Sequence, residues 1–144
     1  MSTPVIFGSD HAGFYLKEQL KKFAAGLGHE ILDVGTDSLD SCDYPQFAFK
    51  LCDQVLEKKC LGILICGTGI GMSMAANRRT GIRAAVCSNE YMARMTRLHN
   101  NANVLCMGER WVGPGLAESI AETFLKTKFE AGRHQRRIDL FDTL

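Results

Sequence analysis

A chain of 144 residues suits one domain with a single core and leaves little room for a second. Hydrophobic residues at 46% and charged residues at 23% are ordinary for a globular protein, and a net charge of +1 excludes a global field that draws in nucleic acid or a membrane surface. Any anion site must therefore be local.

Val5-Ile6-Phe7-Gly8 is a short apolar run closed by glycine. Leu16, Leu20, Phe23, Ala24 and Leu27 follow at helical spacing, with Lys17, Glu18, Lys21 and Lys22 on the other face. Gly26 and Gly28 mark the helix end. Residues 30–34 form a weaker strand, and Phe47, Leu51, Cys52, Val55 and Leu56 give a second amphipathic helix. Leu61-Gly62-Ile63-Leu64-Ile65-Cys66 is the strongest strand, nearly all apolar as a central parallel strand covered on both faces should be. A short helix over 69–77, a strand over 82–87, a helix over 90–98 and a strand over 104–108 come next. Leu116, Ala117, Ile120, Ala121 and Phe124 make a further helix, and a basic tail begins at Gly132.

Strand and helix alternate five times, which argues for a parallel sheet with helices on both faces. Ligands in such folds bind beyond the carboxyl ends of the strands. No apolar run approaches the roughly 18 residues of a membrane span. The opening Met1-Ser2-Thr3-Pro4-Val5-Ile6-Phe7 lacks the basic and apolar regions of a signal peptide, so the expected location is cytoplasmic. The cysteines at 42, 52, 60, 66, 87 and 106 form no C-x-x-C pair, and reduced, mostly buried thiols are expected.

The strand ends carry the chemistry. After the first strand comes Ser9-Asp10-His11-Ala12-Gly13. Asp10 suits a helix cap; His11 beside it is placed to donate to a phosphate or a sugar hydroxyl. After the third strand comes Cys66-Gly67-Thr68-Gly69-Ile70-Gly71. Its glycines let the backbone turn tightly and approach a ligand, with successive amides aimed at one anion. The run lacks the lysine and spacing of a Walker loop, and Met72 stands where a dinucleotide fingerprint needs its third glycine. A thiol such as Cys66 at a helix N-terminus is a candidate nucleophile or proton-abstracting base; the competing reading is a buried cysteine ending a strand. His99 reads equally as a surface helix-end histidine. Arg133, His134, Arg136 and Arg137 form either a solvated tail or the forks and imidazole that a phosphate needs.

Several motifs occur in order: Ser9-Asp10-His11-Ala12-Gly13, Asp43-Tyr44-Pro45, Cys66-Gly67-Thr68-Gly69-Ile70-Gly71, Ala76-Asn77, Gly81-Ile82-Arg83-Ala84, His99-Asn100, Asn103-Val104-Leu105 and Gly132-Arg133-His134-x-x-Arg137. As an ordered set they closely resemble type B ribose-5-phosphate isomerase, in the family it shares with galactose-6-phosphate isomerase subunits. The resemblance covers essentially the whole chain. It implies a Rossmann-like, three-layer α/β/α sandwich with a five-stranded parallel sheet in the order 2-1-3-5-4. It implies one domain over 1–144, whose tail, 127–144, contributes phosphate contacts. It also implies an aldose–ketose isomerase of the non-oxidative pentose phosphate pathway, interconverting ribose 5-phosphate and ribulose 5-phosphate through a cis-enediolate, with no metal or organic cofactor. The implied assembly is a homodimer, in some members a tetramer.

The resemblance assigns roles as well. Cys66 would be the base, and the Gly67–Gly71 turn would hold the developing oxyanion. Thr68 would orient the substrate. His99 would be the acid that opens the furanose ring, assisted by Asp10 and Asn100. His11, Arg110, Arg133 and Arg137 would hold the phosphate, with Tyr44, Gly67, Gly69, Ile70, Gly71 and His134 also contacting the sugar phosphate. Relatives with a serine in place of this cysteine use a glutamate a few residues on; here Ile70-Gly71-Met72-Ser73-Met74 has no carboxylate, which indicates the cysteine-base version.

Connectivity adds one expectation. His99 follows a helix and precedes the fifth strand, near the amino edge of the sheet, whereas Cys66 lies at the carboxyl edge. A strand length of roughly 17–20 Å separates the edges. Each active site is therefore expected to pair Cys66 of one subunit with His99 and Asn100 of its partner. The alternatives are a hexose 6-phosphate isomerase of the same family, acting on allose or galactose 6-phosphate, a non-catalytic sugar-phosphate-binding protein, and a thiol oxidoreductase using Cys87 or Cys106 as a resolving thiol.

Overall fold

A computed structural model describes residues 3–144. Five strands, β1 (Val5–Ser9), β2 (Ile31–Asp33), β3 (Leu61–Cys66), β4 (Ala84–Val86) and β5 (Val104–Gly108), form one parallel sheet in the order β2-β1-β3-β5-β4. Six helices accompany them: α1 (Phe14–Gly26), α2 (Tyr44–Lys58), α3 (Ile70–Ala76), α4 (Glu90–Asn100), α5 (Pro114–Lys126) and α6 (Arg133–Ile138). This is the three-layer α/β/α architecture expected from the alternation and the resemblance.

Strand residues alternate between two cores, as pleating requires. Phe7, Ile63, Ile65, Leu105 and Met107 pack with Leu16 and Leu20 of α1 and Ile120 and Phe124 of α5. Ile6, Leu64, Val104 and Cys106 pack with Leu51 and Val55 of α2 and Met72 of α3. All six cysteines are free, and all but Cys42 are buried.

Two differences from the sequence expectation have local causes. The fourth strand is confined to Ala84–Val86, and on its outer edge a side chain stands where a further strand would pair. Asn77 takes both outward groups of Ala84, its Oδ1 accepting from the amide at 2.8 Å and its Nδ2 donating to the carbonyl at 2.9 Å. Asn103 Oδ1 accepts from the Arg83 amide at 2.8 Å. Edge groups satisfied in this way are not left open to pair with another strand. The fourth helix runs on to Asn100, so His99 and Asn100 sit in its last turn rather than beyond it, and Asn101 ends it in the left-handed region.

Candidate active site

The carboxyl edge is built from turns that follow the strands. Cys66 is the last residue of β3 and is buried. Its carbonyl accepts from the Glu109 amide at 3.0 Å, and the Gly67 carbonyl accepts from the Arg110 amide at 3.1 Å, which pins this turn to the segment after β5. Gly69 then adopts φ +82°, and a Cβ there would lie 2.8 Å from the Met107 carbonyl carbon. Only glycine meets both demands. The resulting turn brings the Gly69 amide back onto Cys66, where it donates to Sγ at 3.1 Å. Gly71 and Met72 open α3, so their amides have no intrahelical acceptor.

Other strand ends converge on this turn. The Arg110 guanidinium lies over Gly67, 3.0 Å from where a Cβ would stand, and the Tyr44 ring lies over Gly71, 2.7 Å from the equivalent point. Thr68 is exposed beside Ile70, with its Oγ1 accepting from the Ile70 amide at 3.2 Å. Trp111 Nε1 donates to the Thr68 carbonyl at 2.7 Å. After β1, Asp10 Oδ1 accepts from the amides of Ala12 at 2.9 Å and Gly13 at 3.2 Å, which confirms its capping role. Its Oδ2 has no hydrogen bond among the described residues. A Cβ on Gly13 would fall 2.5 Å from the Ile65 carbonyl oxygen, so the capped turn is pressed against the end of β3. The Cys42 amide donates to His11 Nδ1 at 3.3 Å. That acceptor role places the ring proton on Nε2, where it can be donated.

The amino edge is built from helix ends. Arg97 is buried, and its guanidinium donates to the Thr127 carbonyl at 3.1 Å, the Ala102 carbonyl at 2.6 Å and Asn101 Oδ1 at 2.9 Å. The Glu130 amide donates to the Leu98 carbonyl at 3.1 Å. These bonds fold the segment after α5 against the last turn of α4 and seat α6 beside it. The rings of His99 and His134 stack there, with centroids 4.3 Å apart and planes 17° apart. Glu130 Oε2 lies 3.9 Å from Nε2 of each histidine. Burial, then the nearby His99 and Arg133, hold the His134 imidazole below its ordinary value, against the pull of Glu130. Arg133 and Arg137 are exposed on α6, and Asn100 is exposed at the end of α4.

One chain therefore assembles Asp10, His11, Tyr44, Cys66, Gly67, Thr68, Gly69, Ile70, Gly71 and Arg110 at one edge. It assembles His99, Asn100, Arg133, His134 and Arg137 at the other. The phosphate set implied by resemblance is itself divided, His11 and Arg110 from Arg133 and Arg137. Sequence reasoning passes over Glu130. The spacing Glu130-x-x-x-His134 was visible, but the third member, His99, comes from another helix. Trp111 is also missed; only the closeness of the turn after β5 to that after β3 reveals it. Three other buried thiols are disfavoured as thiolates. Burial, then Asp53, pushes Cys52 up to about 12; burial pushes Cys87 up to about 11; and burial, then its neighbouring thiols, holds Cys106 well above its ordinary value. A resolving-thiol role for Cys87 or Cys106 has no support in this arrangement.

The Ribose/Galactose Isomerase family model matches residues 5–141. The chain belongs to that family. Ribose-5-phosphate isomerase B of Escherichia coli (strain K12) is 45% identical over 136 residues, covering 94% of this chain and 91% of the relative. Among solved structures, a ribose 5-phosphate isomerase from Thermotoga maritima is 48% identical with a TM-score of 0.97, covering 100% of both chains. Ribose-5-phosphate isomerase B from Mycoplasma genitalium, solved with bound ribulose 5-phosphate, is 44% identical with a TM-score of 0.93, covering 96% of this chain and 93% of that one. Membership in the isomerase family accounts for the strand order and for the ordered motifs on both edges.

Proposed function

We propose that this chain is a ribose-5-phosphate isomerase, and that two copies of it build each active site. The observation that carries the reading is the Gly69 amide donating to Cys66 Sγ at 3.1 Å, in a turn where the amides of Gly71 and Met72 have no intrahelical acceptor. The relatives' names and the ligand bound in the Mycoplasma genitalium structure supply the substrate.

The chemistry follows from the placement. The Cys66 thiolate takes the C2 proton of the open aldose. The electron pair moves into the C1 carbonyl and gives a cis-enediolate. The thiol then returns its proton to C1, while a hydroxyl proton passes from O2 to O1. Asp10 carries that second proton on Oδ2, a role supported by Oδ1 alone being engaged in the cap. Amides of the Gly67–Gly71 turn stabilise the enediolate oxygen; a donor aimed at such an oxyanion contributes about 2.7–4 kcal/mol. Thr68 orients the sugar. His11 and Arg110 meet the phosphate from this edge, beside Tyr44.

The partner supplies the other half. His99 of the second copy protonates the ring oxygen as the furanose opens, Asn100 assists at a sugar oxygen, and Arg133, His134 and Arg137 complete the phosphate site. Supporting this, β4 is an edge strand, and Ile70, Met74, Tyr91 and Met92 on the flanking α3 and α4 are exposed apolar side chains that a second copy would cover. The whole chain acts as one isomerase domain, with residues 127–144 serving the phosphate. Six free thiols suit a reducing compartment, so the cytoplasm is the proposed location and the non-oxidative pentose phosphate pathway the proposed setting.

A coupled assay of ribulose 5-phosphate formation tests the reading. Cys66→Ala should lower the rate by about a thousandfold or more, the scale of a lost base together with its geometry, while sugar-phosphate binding persists. A variant that isomerises at the wild-type rate would overturn it. Rates on six-carbon phosphates should be far lower than on ribose 5-phosphate.

A further inference from the structure

At the amino edge His99 and His134 converge with a third ligating group, Glu130, to which the isomerisation gives no role. One ring nitrogen each of His99 and His134 and a carboxylate oxygen of Glu130 lie within 4.8 Å of one another. Each histidine nitrogen is 3.9 Å from the carboxylate oxygen, too far for a hydrogen bond. His134 is only 6% exposed, and its Nε2 is buried without a hydrogen-bond partner. A buried nitrogen held short of its nearest acceptor is unusual, because such groups are nearly always satisfied. A cation between the three would satisfy it.

The donor set is specific. Two imidazoles and one carboxylate, with a fourth position open, is a recurrent zinc arrangement. Zinc bonds of about 2.0–2.2 Å in a tetrahedron place ligand atoms roughly 3.4 Å apart, so each histidine–carboxylate distance must close by about 0.5 Å and the His99 ring must turn out of its stack on His134 to aim its lone pair at the same ion. His134 is fixed by burial. His99, at a helix end with its side chain 42% exposed, and Glu130, 56% exposed, have room to swing onto the ion.

We propose that His99, Glu130 and His134 form a Zn²⁺ site whose occupation inhibits the enzyme. The inhibitory consequence rests on the role given above to His99: a coordinated Nε2 has no lone pair left to carry a proton to the ring oxygen. The binding itself does not depend on that role. The ion is a regulator, bound reversibly, and takes no part in turnover.

Zn²⁺ is titrated calorimetrically into metal-free wild-type protein, Cys66→Ala and Glu130→Gln. One ion per chain is expected in the first two, with affinity lowered by about tenfold or more in Glu130→Gln. Equal affinity in Glu130→Gln, or loss of the ion in Cys66→Ala, overturns the site. The second arm measures isomerisation against free Zn²⁺. Wild type and Glu130→Gln should run at similar rates without metal. Inhibition of the wild type should reverse with EDTA, and Glu130→Gln should need about tenfold more Zn²⁺. An ion that binds at this site and leaves the rate unchanged overturns the inhibition. Metal-free wild type that does not isomerise ribose 5-phosphate at all overturns the proposed function, while the calorimetry still decides the metal site.

Discussion

The two edges of the sheet are built by different means. At the carboxyl edge, short turns leave the strands and are locked by backbone: Cys66 and Gly67 carbonyls bonded to the turn after β5, Gly69 against Met107, Asp10 capping its own turn. At the amino edge, side chains on separate helices do the work: buried Arg97 gathers the carbonyls of Ala102 and Thr127, and two histidines stack across the gap between α4 and α6. A backbone cradle fixes amides for a developing charge. A side-chain cluster can swing, titrate and meet a partner. The proposed enzyme needs one of each, and a single copy holds them apart.

Disabling each edge in a different copy has the largest expected effect. Cys66→Ala and His99→Asn chains should each be almost inactive alone. Mixed and allowed to exchange, half the dimers are hybrids, and each hybrid has one intact site of two, so activity should return to about a quarter of wild type. Confirmed exchange with no recovery would place both groups in one chain's site. That result would contradict the separation of Cys66, at the carboxyl end of β3, from His99, before β5.

The carboxyl edge was the more legible half because its elements are local. A hydrophobic run ending in Cys66, followed by alternating glycines, announces a strand and a backbone cradle within a few residues. Asp10 before His11-Ala12-Gly13 announces a cap the same way, and the cap is there. The amino edge gives no such local pattern. His99 alone looks like a surface helix end, and Glu130 sits in an irregular stretch. Their meeting depends on Arg97 and on the Glu130 amide, contacts between segments that no periodicity links. The family resemblance assigned roles to these residues, while the pairing of His99 with Glu130 and His134 required the fold.

A second test asks what braces the carboxyl edge. Lys17 is completely buried in α1, and its Nζ donates to Asp33 at 2.8 Å and to the Thr36 carbonyl. Gly35 and Thr36 in turn bond to Ser9, next to Asp10. Burial alone would push the Asp33 carboxyl up. Hydrogen bonds from Lys17, Lys21 and the Gly35 amide outweigh it and hold the group below its ordinary value. A carboxyl with a depressed folded-state pKa contributes stability that is fully present above its unfolded value, near 3.8. That contribution is lost as pH falls through the lower folded value. Asp33→Asn should cost about 2 kcal/mol at neutral pH, less than for a wholly buried pair because Asp33 keeps contact with water. Denaturant midpoints measured from pH 7 to pH 2 should show the gap from wild type constant down to about pH 4 and narrowing below it. A gap that stays level to pH 2 would remove Asp33 as the titrating brace.

The smallest expected effect separates structure from chemistry at Asp10. Its two oxygens have different surroundings: Oδ1 accepts from two amides, and Oδ2 has no hydrogen-bond partner among the described residues. Asn keeps an oxygen for the cap and Ala does not. Asp10→Ala should therefore lose about 1 kcal/mol of stability and Asp10→Asn only a few tenths. If Oδ2 carries the hydroxyl proton between O2 and O1, both variants should lower kcat by a similar factor despite their different stabilities, because an amide cannot accept and return that proton. Equal kcat in wild type and Asp10→Asn, with only Asp10→Ala impaired, would reduce Asp10 to a cap. Proton shuttling would then fall to another group at this edge, of which His11, with its donating Nε2, is the nearest in the chain.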